Sequence, residues 1–197
     1  MKTKQLEQLV LQSLEHEMGG VKIYAAALTC VQNQDLKKEW TEYHEQTRKH
    51  VSALEDVCKA MNIDPKQETP GRKVVRLVGG SLVEAMKLAK EAGDPAAAEL
   101  VACESVVLAE TKDHADWELL GKCVEHLQGA QKKALQEAYE EIEDQEDEHL
   151  YHTKGWCREL WIQSLGLKAV LPPPEEVKQV KTAIGAARAE QSADSQR

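Results

Sequence analysis

Six polar residues stand out because a helical wheel places them on or beside otherwise apolar stripes. They are the carboxylates Glu17, Glu110, Asp113 and Glu146 and the imidazoles His50 and His149. The three glutamates lie at stripe centres near mid-helix, and mid-helix positions of an antiparallel bundle meet at one level. A buried carboxylate is unfavourable unless it is paired, protonated or bound to a metal, and several together repel one another. Since two divalent cations would neutralise four carboxylates, the sequence predicts a two-metal site with all six residues as ligands.

Each of these positions also has a structural explanation that the sequence leaves open. A single Glu on an apolar stripe can extend its carboxylate to solvent, and a single His there is often a hydrogen-bonded core residue. His44 and His114 flank their stripes and are weaker candidates. Glu45 points away from the second stripe, and Glu15 points nearly opposite to the first. The pattern identifies no catalytic residue.

The candidate ligands belong to an internal repeat. Glu17 precedes Tyr24 by seven residues, and Glu110 precedes Trp117 by the same spacing. Each half also contains a polar pair spaced three residues apart, Thr47 with His50 and Glu146 with His149. Two similar helical hairpins around a metal pair are a known arrangement of di-metal helical bundles, so the repeat supports the metal interpretation. We interpret the two aromatic residues as core packing.

The elements that must position these residues are long helices. The chain of 197 residues has no Phe and 30% charged residues, and its dominant residue types favour helix. The pattern predicts four long helices over 3–31, 36–61, 95–127 and 131–165, and a shorter one over 71–91 that is broken or bent near Gly79 and Gly80. Short loops within each pair and a long crossover between the pairs predict an all-α, antiparallel four-helix bundle. This domain spans 1–170.

The remaining residues, 171–197, form a predicted C-terminal tail. Pro172, Pro173 and Pro174 cannot continue the fourth long helix. Apolar residues at helical spacing indicate a short helix over 175–187, and the polar composition of the last eight residues predicts disorder.

Two motifs resemble those of a known superfamily. The stretch Glu17-Met-Gly-Gly-Val-Lys-Ile-Tyr24 resembles the first-helix pattern of rubrerythrin-type, ferritin-like di-iron carboxylate proteins. Glu146-Asp-Glu-His149 is similar to their fourth-helix E-x-x-H motif. The layout most resembles the YciF-like bacterial stress proteins, with similar stretches at 45–51, 79–85 and 110–113. The second helix of the di-iron families supplies another E-x-x-H, and here Thr47 stands at its Glu position, so one bridging carboxylate is missing.

The resemblance implies a ferritin-like fold with two iron ions, or manganese, as the cofactor. It also implies a role in oxidative or metal stress, with O2 or peroxide as a small oxidant, and no firm substrate. In that interpretation Glu110 and Glu146 bridge the metals, Glu17, His50 and His149 are terminal ligands, and Asp113 is a variable ligand. A di-metal oxidoreductase with peroxidase-like activity is then one prediction. The alternative is a non-enzymatic helical module for oligomerisation or interaction without a functional metal, and a third is an oxygenase with an apolar access pocket.

Charge and cysteine content limit the partners and the compartment. The net charge of −9 makes nucleic acid an unfavourable partner, and no apolar run reaches membrane-spanning length. The N-terminus has no signal-peptide pattern, and the five cysteines form no C-x-x-C pair. We therefore expect a cytoplasmic protein with reduced thiols that assembles as a homo-oligomer, a dimer in the simplest case.

Overall fold

The computed structural model describes residues 1–170, so the tail and its predicted short helix lie outside the described residues. Five helices account for nearly all of the described chain: α1 Thr3–Ala27, α2 Gln34–Ala60, α3 Pro70–Glu91, α4 Pro95–Val124 and α5 Gly129–Ser164. The prediction of an all-helical protein is confirmed. The four long predicted helices correspond to α1, α2, α4 and α5, and α3 is the helix of the crossover.

Local sequence signals explain where the helices begin and end. The Asn33 side chain accepts hydrogen bonds from the first turn of α2, and Asp94 does the same for α4, which begins at Pro95. α1 ends at Ala27, four residues before the predicted Val31. The difference arises because the N–H groups of Thr29 and Cys30 bond to carbonyls three residues back, which tightens the chain into turns.

α1, α2, α4 and α5 pack side by side, with each neighbouring pair antiparallel. Between α2 and α5, Trp40 contacts Thr153 while His50, further along α2, contacts Gln145, earlier in α5. α3 lies outside this group, against α1 and α4. Among the described residues, no helix contains an apolar stretch long enough to cross a membrane.

α3 is not broken near Gly79 and Gly80, which was one of the two alternatives that the sequence offered there. α3 is continuous over its 22 residues. A glycine inside a helix costs about 1 kcal/mol relative to alanine, but tertiary contacts override such a preference. A Cβ on Gly79 would stand 3.9 Å from the Cα of Gly19 in α1. This is an ordinary van der Waals distance, so Gly79 lies at the contact between α3 and α1 without interrupting α3.

Two apolar clusters form the core, one at each end of the bundle. One is centred on Tyr24, Trp40 and Trp156, and the other on Leu14, Trp117 and Leu135. The layer between them is polar and buried, and it contains all six predicted ligands. The five cysteines are free thiols, three of them buried.

Candidate metal centre

All six predicted ligands are buried in one layer of the bundle. α1 supplies Glu17, α2 supplies His50, α4 supplies Glu110 and Asp113, and α5 supplies Glu146 and His149. None is more than 3% exposed. The i, i+3 spacing within α4 and within α5 puts both members of each pair on one helix face. The layer lies at mid-helix, as the wheel predicts.

Glu146 joins two groups of potential ligand atoms. Atoms of Glu17, His50 and Glu146 lie within 4.8 Å of one another, and so do atoms of Glu110, Glu146 and His149. The Nδ1 atom of His50 is 2.9 Å from Glu146 Oε1, and that of His149 is 3.5 Å from the same oxygen. The geometry places Glu146 in both groups and Glu110 in one. Asp113 is brought into the same layer, but it belongs to neither of these groups in the described chain.

Two glutamines orient the imidazole rings. The Nε2–H of His50 faces the amide oxygen of Gln145 at 3.0 Å, and the Nε2–H of His149 faces that of Gln46 at 2.8 Å. An amide oxygen only accepts, so each Nε2 must be the donor. The neutral rings then carry their lone pairs on Nδ1, which face the carboxylates. Outer contacts that fix the tautomer in this way are typical of histidines that bind metals.

Most of the inward-facing ligand atoms lack a hydrogen-bond partner. They are Glu17 Oε2, His50 Nδ1, Glu110 Oε2, Asp113 Oδ1, both oxygens of Glu146 and His149 Nδ1. His50 Nδ1 lies 2.9 Å from Glu146 Oε1 and 3.5 Å from Glu17 Oε1. Buried polar atoms are nearly always paired, so a cluster without partners calls for a ligand that supplies positive charge. Nitrogen and oxygen donors on facing helices fit a pair of divalent transition metals.

Burial sets the acid–base properties of the centre. Desolvation, reinforced by the charge of Glu17, raises the pKa of Glu110 to about 8. Desolvation likewise raises the pKa of Glu146 to about 7 and lowers that of His149 to about 4. Desolvation also lowers the pKa of His50, but Glu17 and Glu146 outweigh it and the pKa rises to about 11. Without a cation, a proton on His50 supplies one of the positive charges that the carboxylates require.

The other sequence-based assignments can be compared with the structure directly. Glu45 is exposed, as the wheel predicts. Thr47 is buried, and its hydroxyl donates to the backbone carbonyl of Tyr43, so this side chain contributes a methyl group and no charge to the layer. His114 is partly buried and bonds Asp147. Trp117 is a core residue, but its Nε1–H also donates to Glu17 Oε1 at 2.8 Å and so helps to hold that carboxylate.

The wheel missed the orienting residues Gln46 and Gln145. Both are partly exposed, and neither lies at the centre of an apolar stripe. One signal was available, because Gln145 immediately precedes Glu146 and Gln46 lies one helical turn before His50. Which histidine each glutamine contacts depends on how α2 and α5 align, and that alignment is not a local property of the sequence.

A second buried carboxylate lies two residues from Glu17. Glu15 points away from the bundle stripe, as predicted, yet it is buried because α3 covers it. The guanidinium of Arg72 donates to Glu15 Oε2 at 2.7 Å, and that of Arg76 donates to Oε1 at 2.6 Å. These bonds lower the pKa of Glu15 despite its burial. This carboxylate is neutralised by the protein itself.

Comparisons with known proteins identified no relative of this chain. No protein-family model, curated protein or solved structure matches the chain. The fold and the buried cluster therefore define the molecule only as a helical bundle with a carboxylate–histidine layer in its core.

Proposed function

We propose that this protein holds two divalent metal ions, iron or manganese, in a carboxylate-bridged centre of a ferritin-like four-helix bundle. The observation that carries the proposal is the convergence of unpaired, fully buried ligand atoms on the carboxylate of Glu146. Desolvated carboxylates that repel one another are tolerated in a fold if a cation balances them. Four carboxylate charges equal the charge of two divalent ions.

The two groups of ligand atoms suggest how the ions would be shared. Glu146 would bridge, Glu17 and His50 would complete one position, and Glu110 and His149 would complete the other. Asp113, with its unpaired oxygen, would be the variable ligand. Carboxylate oxygens and imidazole nitrogens are suitable donors for iron and manganese.

Such a pair of metals supplies electrons for the reduction of O2 or peroxide, which is the basis for the proposed role in oxidative or metal stress. The protein's own contribution is to exclude bulk water with the two apolar clusters and to hold the histidine tautomers through Gln46 and Gln145. Thr47 offers no carboxylate at its place in α2, so a bound metal pair would have one protein ligand fewer there, where a small oxidant could bind.

Metal content and stability test the proposal together. The protein is produced with added iron or manganese, and metal per chain is measured by elemental analysis before and after anaerobic loading. We expect about two equivalents per chain, and a melting temperature that EDTA lowers, because a ligand at 100 times its Kd stabilises the folded state by about 2.7 kcal/mol. Less than about half an equivalent after loading, with an unchanged melting temperature, would contradict it.

A second candidate function is a helical module that pairs with another copy of this chain. The specific observation is an exposed apolar strip where α3 meets α4, formed by Val74, Leu77, Val78 and Leu108, each more than half exposed. Apolar patches of this kind often mark protein contacts. Light scattering on the double variant Leu77→Glu/Leu108→Glu tests this function. A smaller molar mass than wild type would support self-association through the strip, and an equal mass would contradict it.

A further inference from the structure

A cavity of about 240 Å³ opens between α4 and α5 and leads inward to Glu146. The α4 residues that line it are His114, Trp117 and Glu118, and the α5 residues include Glu143, Glu146 and Asp147. Its inner wall belongs to the proposed metal centre. Glu146 is 1% exposed with both oxygens unpaired, and Trp117 bonds Glu17. The cavity therefore ends at Glu146, whose buried carboxylate belongs to the proposed centre.

The outer part of this cavity has the donor set of a cation site. Glu118 and Glu143 are exposed at its mouth. Deeper in, Asp147 Oδ1 accepts a hydrogen bond from His114 Nε2 at 2.6 Å, so a carboxylate and an imidazole face each other across the two helices. No lysine or arginine lines the cavity among the described residues. Acidic clefts with low-dielectric walls concentrate cations and can raise association rates about 10- to 1,000-fold.

A second cavity near the centre has a different character. It lies between α2 and α5 and has a volume of about 450 Å³. Its charged lining residues are Lys49, Asp56, Glu137 and Glu141, and His50 and Gln145 also line it. Lys49 offsets one of the three acidic charges, whereas no lysine or arginine lines the first cavity. His50 contacts Gln145 through Nε2, whereas the nitrogen available to a metal is Nδ1. The carboxylates of the centre that lack a hydrogen-bond partner do not line this cavity. This cavity is the larger of the two, but the cavity between α4 and α5 is the better route for cations because Glu146 lines it.

We propose that the cavity between α4 and α5 is the uptake site for divalent cations. Glu118 and Glu143 attract the ion, Asp147 and His114 bind it transiently, and it then passes to Glu146. This inference rests on the proposed metal centre and adds the route by which that centre is filled. No redox step is involved, because the ion exchanges water for protein ligands.

Stopped-flow uptake of Co²⁺ by the full-length, metal-free protein tests the route, with the visible absorption of bound Co²⁺ as the readout. The variant Glu118→Lys/Glu143→Lys reverses the charge at the mouth and leaves the bond between Asp147 and His114 intact. We expect its uptake rate to fall by about tenfold or more, with the final number of Co²⁺ ions per chain unchanged. Added salt should slow wild-type uptake more than uptake by this variant, because screening removes the attraction.

The matched control is Glu137→Lys/Glu141→Lys, which changes the net charge equally but at the cavity between α2 and α5. Uptake by the control should stay within about twofold of wild type, since Glu137 and Glu141 line the other cavity and not the proposed route. An equal slowing in both variants would overturn the route, and so would an unchanged rate in the first variant. If wild type binds no Co²⁺ at all, the metal centre itself fails, which is a distinct result.

Should the first variant fold poorly, Glu118→Gln/Glu143→Gln removes the same charges with smaller side-chain changes. Slower uptake by this variant supports the route, and a wild-type rate overturns it.

Discussion

Glu15 and Glu17 are two residues apart on α1, and both are buried, but they are stabilised in different ways. Glu15 faces α3 and accepts hydrogen bonds from the guanidinium groups of Arg72 and Arg76. Glu17 faces the centre of the bundle, where its neighbours include other carboxylates, and one of its oxygens has no partner. Both carboxylates have lost water, but Glu15 is paired with two guanidinium groups, whereas Glu17 shares the single imidazole of His50 with Glu146.

The difference separates a carboxylate that is paired within the fold from one that belongs to the proposed metal centre. A buried ion pair with good hydrogen bonds is self-sufficient, and removing one partner leaves an unfavourable charge behind. A cluster of like charges without counter-charges is strained until something neutralises it. The same substitution should therefore have opposite consequences at the two places.

The largest effect should come from Glu146→Ala, which removes the carboxylate that both ligand groups share. We expect loss of metal binding, measured as metal per chain, with the far-ultraviolet helical signal unchanged. The metal-free variant should be no less stable than metal-free wild type in denaturant unfolding, because carboxylate repulsion is relieved. Glu141→Ala, an exposed glutamate of the same helix, is the control. Two metals bound normally by the variant would exclude Glu146 as a ligand.

Glu15→Ala should show the reverse behaviour. It leaves the guanidinium of Arg72, a residue only 3% exposed, without its carboxylate. Breaking such a buried pair lowers the free energy of unfolding by about 3–5 kcal/mol. Metal per chain should stay at the wild-type value, because Glu15 does not face the centre. Unfolding in urea measures the first quantity, and a variant as stable as wild type would show that the ion pairs contribute nothing.

A smaller effect is expected from the residues that orient the histidines. Gln46→Leu and Gln145→Leu each remove an acceptor from a ring Nε2–H and should weaken metal binding by about 10- to 100-fold. Titration with Mn²⁺ at constant pH measures the change. The exposed neighbour Glu45 provides the control, since Glu45→Ala should leave the affinity unchanged. If Glu45→Ala weakened binding and the glutamine variants did not, the assigned register of α2 would be wrong.

The smallest expected effects are those of pH, and they separate the two regions. At the centre, protons compete with metal for Glu110 and Glu146, whose pKa values are about 8 and 7. Mn²⁺ affinity should therefore fall by about tenfold between pH 7 and pH 6 for each proton that metal binding must displace. A pH-independent affinity over this range would contradict the assignment.

At Glu15 the folded pKa is lowered from 4.5, so its contribution to stability is present above that pH. The contribution is lost as the pH falls through the folded value. The free energies of unfolding of wild type and Glu15→Gln, measured in denaturant, should therefore become equal only below pH 4.5. Convergence already at neutral pH would show that the carboxylate is not stabilised by its arginines.

Much of the fold follows from local sequence. Residue types that favour helix define the helices to within a few residues. The starts are marked by the caps Asn33 and Asp94 and by the prolines that follow Thr69 and Asp94. The 3.6-residue period then assigns Glu17, Glu110 and Glu146 to buried faces, because the face of a helix on which a residue lies depends only on its position within that helix. The burial of all six candidate ligands could thus be predicted without knowing how the helices pack.

The tertiary structure decided what those buried residues meet. The burial of Glu15 depends on α3 covering a face of α1 that the wheel assigns to the outside. The alignment of α2 with α5 decides which histidine Gln46 and Gln145 each contact. It also brings His50 to Glu146, which is what places Glu146 in both ligand groups. These are contacts between residues far apart in the chain, and no local period encodes the relative position of two helices.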